Sequence, residues 1–234
     1  MTSHAKRLPI NHLLENLHTS FGTNIKDISP ETLELIENID INSRIIDAIR
    51  VELRAAYARD DSQKLGCTDI LDEIFTDFSL AMYLFSVSLI VPARMLVRMA
   101  LELGIASVYM WDIPHEYWGW VKHEDDLSFS KMIEHLSSDR YATHLANVHG
   151  KKACDQTQLK KFYSSLSNTV HGKLNDLPPL SPERYRFDKN NIQTHLKLTI
   201  EVQQALINIW SGRFPELGTF IEKKFPQPLR RSKK

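Results

Sequence analysis

Glycine and cysteine are both scarce in this chain of 234 residues, which contains eight glycines and two cysteines. Globular proteins contain roughly 7% glycine, and strand-rich folds use it in tight turns, so its scarcity favours helices. Two cysteines, Cys67 and Cys154, are too few for a disulfide framework or a four-thiolate zinc site. We therefore expect a reduced, cytoplasmic protein.

The chain also lacks an apolar segment long enough to cross a bilayer. The one stretch that resembles a membrane span is residues 78–91, which contains 14 residues without a charge and is followed by Pro92 and Arg94. A membrane helix needs roughly 20 such residues. The N-terminus has a charged start but neither an apolar core nor a cleavage-site pattern. We predict no signal peptide and no membrane partner, and we interpret residues 78–91 as a buried helix.

Net charge is absent as well, since 29 Lys and Arg balance 29 Asp and Glu. The two parts of the chain nevertheless carry opposite net charges. Residues 1–150 carry 13 basic and 22 acidic side chains, whereas residues 151–234 carry 16 and 7. A local excess of positive charge is typical of a surface that attracts an anionic partner.

What the sequence does contain is helical periodicity, because apolar residues recur at spacings of three and four through most of the chain. Ser29, Pro30 and Glu31 form a helix-start signature. Residues 93–111 are apolar on nearly every side, which is typical of a central helix. We predict an all-α protein built as a single helical bundle of about four to six principal helices.

Helix-breaking residues predict several boundaries. We expect one helix over residues 30–40, a second over about residues 42–58, and a turn at Gly66. Pro92 either starts a new helix or kinks a longer one, and the sequence leaves both alternatives open. Residues 112–130 are expected to form an irregular, aromatic-rich connection.

A first candidate site is formed by Arg94, Arg98 and Glu102. Their spacing of i, i+4 and i+8 places all three on one side of the most apolar helix. Buried ionised groups must be paired or they are costly. Two interpretations follow: Arg98 and Glu102 form a structural pair, or the three side chains line a cleft that admits an anion.

A second candidate site lies on the helix predicted to start at the N-cap Asp155 and to end at Gly172. Ser164, Ser167, Asn168 and His171 follow one another at helical spacings near its C-terminal end. An imidazole at a helix end can titrate near neutrality and act as a general base or acid. The alternative is that His171 only caps the terminal carbonyls.

Lys160 and Lys161, preceded by Lys151 and Lys152, form a basic face around this helix. Such a face either attracts phosphates or is simply solvated. The five histidines between positions 115 and 149 match no zinc-ligand spacing, and no glycine-rich phosphate loop is present. We expect neither a metal site nor a cofactor.

Two segments carry a family resemblance: PARMLVRMALELG, residues 92–104, and FYSSLSNTVHG, residues 162–172. They resemble the motif-bearing helices of the HEPN superfamily, helical bundles common in prokaryotic toxin–antitoxin and phage-defence loci. The resemblance covers about residues 70–210 and implies that His171 matches the family's histidine. It also implies that Arg98 or Glu102 matches the supporting position on the neighbouring helix, and that the chain forms a homodimer. The predicted organisation is then one domain with three parts: residues 1–66, N-terminal helices packing on the core; residues 67–212, the HEPN-like core; and residues 213–234, a short helix and basic tail.

The chain departs from the family at the arginine that precedes the histidine with four to six residues between them, because residues 164–166 are Ser, Ser and Leu. A cation that stabilises the phosphate would have to come from Arg94, Arg98 or a partner chain. The resemblance implies an RNA-targeting toxin or defence effector that is a metal-independent endoribonuclease with His171 as general base. In that interpretation the catalytic residues are His171, Arg98, Asn168 and Glu102, and the substrate-binding residues are Arg94, Ser164, Ser167, Lys160 and Lys161. The alternatives are a catalytically silent module that binds RNA, a nucleotide or a partner protein such as an antitoxin, and a structural helical adaptor.

Overall fold

The structure is a computed structural model that describes residues 28–139, 155–170 and 188–226, together with Tyr141 and a few positions between Glu15 and Lys26. Within these residues the regular elements are all α-helices, so the prediction of an all-α bundle is confirmed. The helices are α1 (Pro30–Tyr57), α2 (Ser62–Ser86), α3 (Ile90–Asp112), α4 (Pro114–Val121), α5 (Phe129–Ser137), α6 (Gln156–Val170), α7 (Lys189–Arg213) and α8 (Pro215–Lys224).

Helix α1 begins where the sequence predicts. The Ser29 hydroxyl accepts a hydrogen bond from the Thr32 N–H at 3.3 Å, and Pro30 occupies the first turn. The predicted break near residue 41 is wrong, because α1 is continuous over 28 residues. Asn42 and Ser43, which could have served as caps, are buried instead, and the Ser43 hydroxyl accepts a hydrogen bond from Gln203 of α7 at 3.0 Å.

The predicted turn at Gly66 is also wrong. Asp61 caps α2 by accepting hydrogen bonds from the N–H groups of Gln63 and Lys64, both at 3.1 Å, so the helix is already formed at Gly66. A Cβ at Gly66 would overlap the side chain of Tyr117 on α4. The glycine therefore allows two helices to approach closely instead of allowing the chain to turn.

The alternatives at Pro92 are resolved in favour of two helices. Helix α2 ends at Ser86, residues 87–89 form a turn in which Ser88 has a φ of 61°, and α3 starts at Ile90. Pro92 thus lies in the first turn of α3, where its missing N–H has no intrahelical partner to lose.

Residues 112–130 are only partly irregular, and the prediction is wrong for residues 114–121. Pro114 occupies the first turn of α4, which positions Tyr117 against the core. Residues 122–128 form the connection to α5.

Helix α7 runs parallel to α3 and packs against it. Its Trp210 indole N–H donates to the Ser107 hydroxyl at 3.1 Å, and one turn further Arg213 donates to Asp112 at 2.7 Å. The later residue of α7 thus contacts the later residue of α3, as expected for parallel helices. The core contains fully buried side chains from several helices, among them Ile46, Phe78, Leu101, Leu206 and Trp210.

In the described part of the chain, no helix combines the length and the apolar character that a bilayer crossing requires.

Candidate functional site

The candidate residues lie along the seam between α3 and α6. Asp155 caps α6 as predicted, since its carboxylate accepts a hydrogen bond from the Gln158 N–H at 3.1 Å. Leu159, Phe162 and Leu166 are buried and hold the helix on the core. Arg94 of α3 contacts Ser165 of α6, and Arg98, one turn later on α3, contacts the earlier residue Tyr163. Helix α6 is therefore antiparallel to α3.

Arg98 is the central side chain of this seam. Its Nε and Nη2 atoms lie 3.0 and 2.9 Å from the same carboxylate oxygen of Glu102, one turn along α3. Nη2 also donates to the Tyr163 hydroxyl of α6 at 2.9 Å, and the guanidinium carbon lies 4.8 Å from the centroid of the Tyr163 ring. The internal Arg98–Glu102 pair that the spacing suggested is therefore present, and it is tied to the neighbouring helix.

Tyr163 was missed by the sequence analysis. Its ring stacks on Phe129 of α5, with centroids 3.9 Å apart and ring planes at 17°. We call Arg98, Glu102, Tyr163 and Phe129 the Arg98 cluster. This cluster joins α3, α5 and α6, and no local sequence pattern connects Tyr163 or Phe129 with the Arg98–Glu102 pair.

Arg94 lies one turn before Arg98 and also contacts α6. It is half-buried, and its Nη2 donates to the carbonyl oxygen of Ser165 at 2.6 Å. This contact places the guanidinium beside the last turns of α6, within one turn of Asn168.

His195 of α7 lies near Arg94 and was also missed. It is buried, and its ring stacks on Phe85 with centroids 5.8 Å apart. Burial, together with the positive charge of Arg94, lowers the pKa of His195 to about 4. The imidazole is therefore neutral at pH 7 and does not supply a second cation. The sequence could have indicated that His195 is buried, because it falls in the apolar stripe of α7. It could not have indicated that Arg94 lies nearby.

The remaining candidates on α6 are distributed over different depths. Ser164 is exposed, Asn168 is half-buried, and Ser167 is buried with no hydrogen-bond partner for its hydroxyl among the described residues. His171, the predicted general base, lies outside the described residues. Its relation to Arg94, Arg98 and Glu102 is therefore still a prediction.

The outer side of α6 presents the basic pair Lys160 and Lys161. Both side chains are exposed, and neither forms an ion pair with a described residue. Ser164 follows Lys160 by one turn on the same exposed side. Two cations and a hydroxyl thus face solvent together, an arrangement suited to phosphate oxygens.

Among the residues that the structure describes, no group of three or more His, Cys, Asp or Glu is placed to hold a metal ion. Cys67 is buried, and burial raises the pKa of its thiol to about 12. It therefore stays protonated and is unsuited to metal binding or nucleophilic attack near neutral pH. Cys154 lies outside the described residues.

Family models, curated proteins and solved structures contain no match to this chain.

Proposed function

We propose that this chain is a HEPN-like helical module that binds RNA through α6 and does not cleave it. The supporting observation is that Lys160 and Lys161 are exposed and unpaired among the described residues, whereas Arg98 is held by Glu102 and Tyr163. The lysines also belong to the part of the sequence that carries excess positive charge.

Binding is favoured over cleavage by the state of the two arginines. Cleavage by attack of a 2′-hydroxyl requires a base and a cation that stabilises the charge developing on the phosphate. Arg98 donates to Glu102 and Tyr163, and Arg94 donates to a backbone carbonyl of α6. Both side chains therefore have protein partners in this structure, and Arg98 would have to exchange Glu102 for a phosphate before it could stabilise one. Residues 164–166 contain no arginine that could replace them.

The lysines act on phosphate as mobile point charges. An ammonium group has three donors on a flexible stem and gives affinity without base recognition. We expect binding with little sequence preference and a strong dependence on salt, because each neutralised phosphate releases counterions.

The test is fluorescence anisotropy of a labelled single-stranded RNA oligonucleotide, titrated at several salt concentrations. The double variant Lys160→Glu, Lys161→Glu should weaken binding by about tenfold or more. The matched control is Lys223→Glu, Lys224→Glu, which makes the same charge change on an exposed adjacent pair in α8 and should have little effect. Equal losses in both variants, or no binding by the wild type, would contradict the proposal.

A second candidate function, metal-independent cleavage of RNA, is favoured by the position of Arg94. Its guanidinium contacts Ser165, near Asn168, and the described part of α6 reaches Val170, immediately before His171 in the chain. If purified protein cuts RNA in the presence of a chelator, and His171→Ala abolishes cutting and the toxicity of expression, this candidate replaces the binding proposal.

The homodimer, and a protein partner such as an antitoxin or defence subunit, are proposals that rest on the HEPN resemblance. Light scattering of the purified chain tests the first: a mass of one chain at all concentrations would contradict it.

A further inference from the structure

We propose that Arg98 and Tyr163 form a phosphate-binding site beside Lys160, and that Glu102 is an internal anion that occupies this site until a phosphate displaces it. This inference rests on the proposed RNA-binding function of α6. It assigns Arg98 and Glu102 roles that differ from catalysis: the arginine is a latent ligand-binding group and the carboxylate is its resident competitor.

The geometry of Arg98 is that of an occupied anion site. Its Nε and Nη2 atoms converge on a single oxygen of Glu102, at 3.0 and 2.9 Å. A guanidinium uses the same fork of donors to hold carboxylate and phosphate oxygens, so a phosphate oxygen fits where the Glu102 oxygen lies.

Tyr163 adds a further donor to this site. Its hydroxyl oxygen accepts from Arg98 Nη2 at 2.9 Å, and its own proton has no acceptor among the described residues. Stacking on Phe129 fixes the ring, so the hydroxyl is held beside the fork. A phosphate that replaced the carboxylate would gain this hydrogen bond, which the present Glu102 contact does not use.

Solvent reaches the site from the Glu102 side. The Glu102 side chain is 34% exposed, whereas the Arg98 side chain is 18% exposed. The carboxylate can therefore rotate into water without burying its charge, and its departure opens the fork to solvent. Partly exposed ion pairs contribute little to stability, so an anion with more charge and more acceptor oxygens can compete.

The site is continuous with the proposed RNA surface. Tyr163 follows Lys160 by three residues on α6, and residues with this spacing are neighbours on a helix surface. A strand bound by Lys160 and Lys161 would therefore bring a phosphate to the edge of the Arg98 cluster. Glu102 would then set the affinity, because each binding event must break its pair with Arg98.

The decisive variant is Glu102→Gln, which keeps the shape of the side chain but removes the competing charge. Its matched control is Glu201→Gln, an exposed carboxylate of α7 with no ion pair to a described residue. Glu102→Gln should raise RNA affinity about fivefold and steepen the plot of log affinity against log salt by about 0.7, the value for one further phosphate contact on a single strand. Glu201→Gln should change neither quantity appreciably, and adding Arg98→Gln to Glu102→Gln should remove the gain.

A second measurement uses inorganic phosphate as the probe and no RNA. Phosphate should raise the Tm of Glu102→Gln more than that of the wild type, and the Arg98→Gln, Glu102→Gln double variant should show no such difference. One outcome is that Glu102→Gln and Glu201→Gln have the same RNA affinity, while the Lys160→Glu, Lys161→Glu variant binds RNA more weakly than the wild type. In that case the internal-anion inference is wrong and the proposed function stands. If no variant binds RNA but phosphate selectively stabilises Glu102→Gln, the proposed function fails and the phosphate site stands. If neither ligand distinguishes the variants, both are wrong.

Discussion

Helix α3 packs against α7 along one seam and against α6 along another, and the residues in the middle of the two seams differ in chemistry. Toward α7, Gly104 faces the fully buried Leu206, and Ser107 receives the indole N–H of Trp210. Toward α6, Arg98 and Glu102 are partly exposed and form charged contacts.

The difference separates stability from ligand binding within a single helix. Close apolar packing contributes most to the free energy of unfolding where water is excluded, and truncating a side chain there leaves a cavity that the surrounding residues do not fill completely. Partly exposed charged groups contribute little to folding and can exchange partners at low cost. We therefore expect substitutions of the buried Gly104 and Leu206 at the α3–α7 seam to act on the free energy of unfolding, and substitutions in the Arg98 cluster at the α3–α6 seam to act on ligand affinity.

The largest effect on stability is expected from Leu206→Ala. Leu206 is fully buried against α3, so its truncation should lower the free energy of unfolding by about 3 kcal/mol. Urea unfolding measures the change, and Leu33→Ala, at a position 46% exposed on α1, is the control with little expected effect. Similar losses in the two variants would remove the distinction between seam and surface.

A pH-dependent effect is expected from Asp77, a charged residue in the interior of α2. It is 2% exposed, and its Oδ2 has no hydrogen-bond partner among the described residues. Burial, with a smaller contribution from Glu73, raises its pKa from 3.8 to about 6. Since the folded state holds the proton more tightly than the unfolded state, stability should fall as pH rises from about 4 through 6 and remain lower at pH 7.

Asp77→Asn should remove this fall and raise the free energy of unfolding at pH 7 by about 2 kcal/mol. The comparison is made by urea unfolding at pH 4, 5, 6 and 7, with the exposed Asp72→Asn on the same helix as control. A difference between Asp77→Asn and wild type that is independent of pH would show that the carboxyl does not titrate in this range.

Gly104→Ala should have a smaller effect on the interior seam. Its Cβ would lie 2.6 Å from a methyl carbon of Leu206, so overpacking should outweigh the gain in helix propensity and cost about 1 kcal/mol or more. Gly218→Ala in α8, where nothing lies within 4 Å, should instead stabilise the protein by about 0.5 kcal/mol. Thermal unfolding distinguishes the opposite signs, and combining Gly104→Ala with Leu206→Ala should cancel part of the separate losses.

The smallest effect on stability is expected from Tyr163→Phe at the α6 seam. The variant keeps the ring stacked on Phe129 but loses the hydroxyl that Arg98 contacts, at a cost of about 0.5 kcal/mol. A double-mutant cycle with Arg98→Gln, followed by urea unfolding, isolates this contact. A loss as large as that of Leu206→Ala would mean that the charged seam also holds the fold together.

The fold class could be predicted because the period of the apolar residues is a local property of each helix. The start of α1 and the cap at Asp155 were predicted for the same reason, since a capping side chain bonds within its own turn. The breaks predicted near residue 41 and at Gly66 are wrong because Ser43 and Gly66 each contact another helix, α7 and α4 respectively, whose residues are far away in sequence.

In the candidate site as well, contacts within one helix could be predicted and contacts between helices could not. The pair between Arg98 and Glu102 lies within one helix at i, i+4, so the sequence could suggest it. The contact of Arg98 with Tyr163 spans 65 positions, and the proximity of Arg94 to His195 depends on how α3 packs against α7. Such contacts follow from the packing of whole helices and leave no local signature.

The short turn at residues 87–89 has a consequence for how the chain assembles. It joins α2 and α3, the pair of helices with the most extensive mutual packing, so this hairpin can form from contacts that are local in sequence. Helix α7 must instead be brought to α1 across a separation of 160 residues, as between Ser43 and Gln203. During synthesis, the hairpin can be complete before Leu206 of α7 is available to cover α3 at Gly104, so the apolar surface there is exposed until the ribosome has released α7.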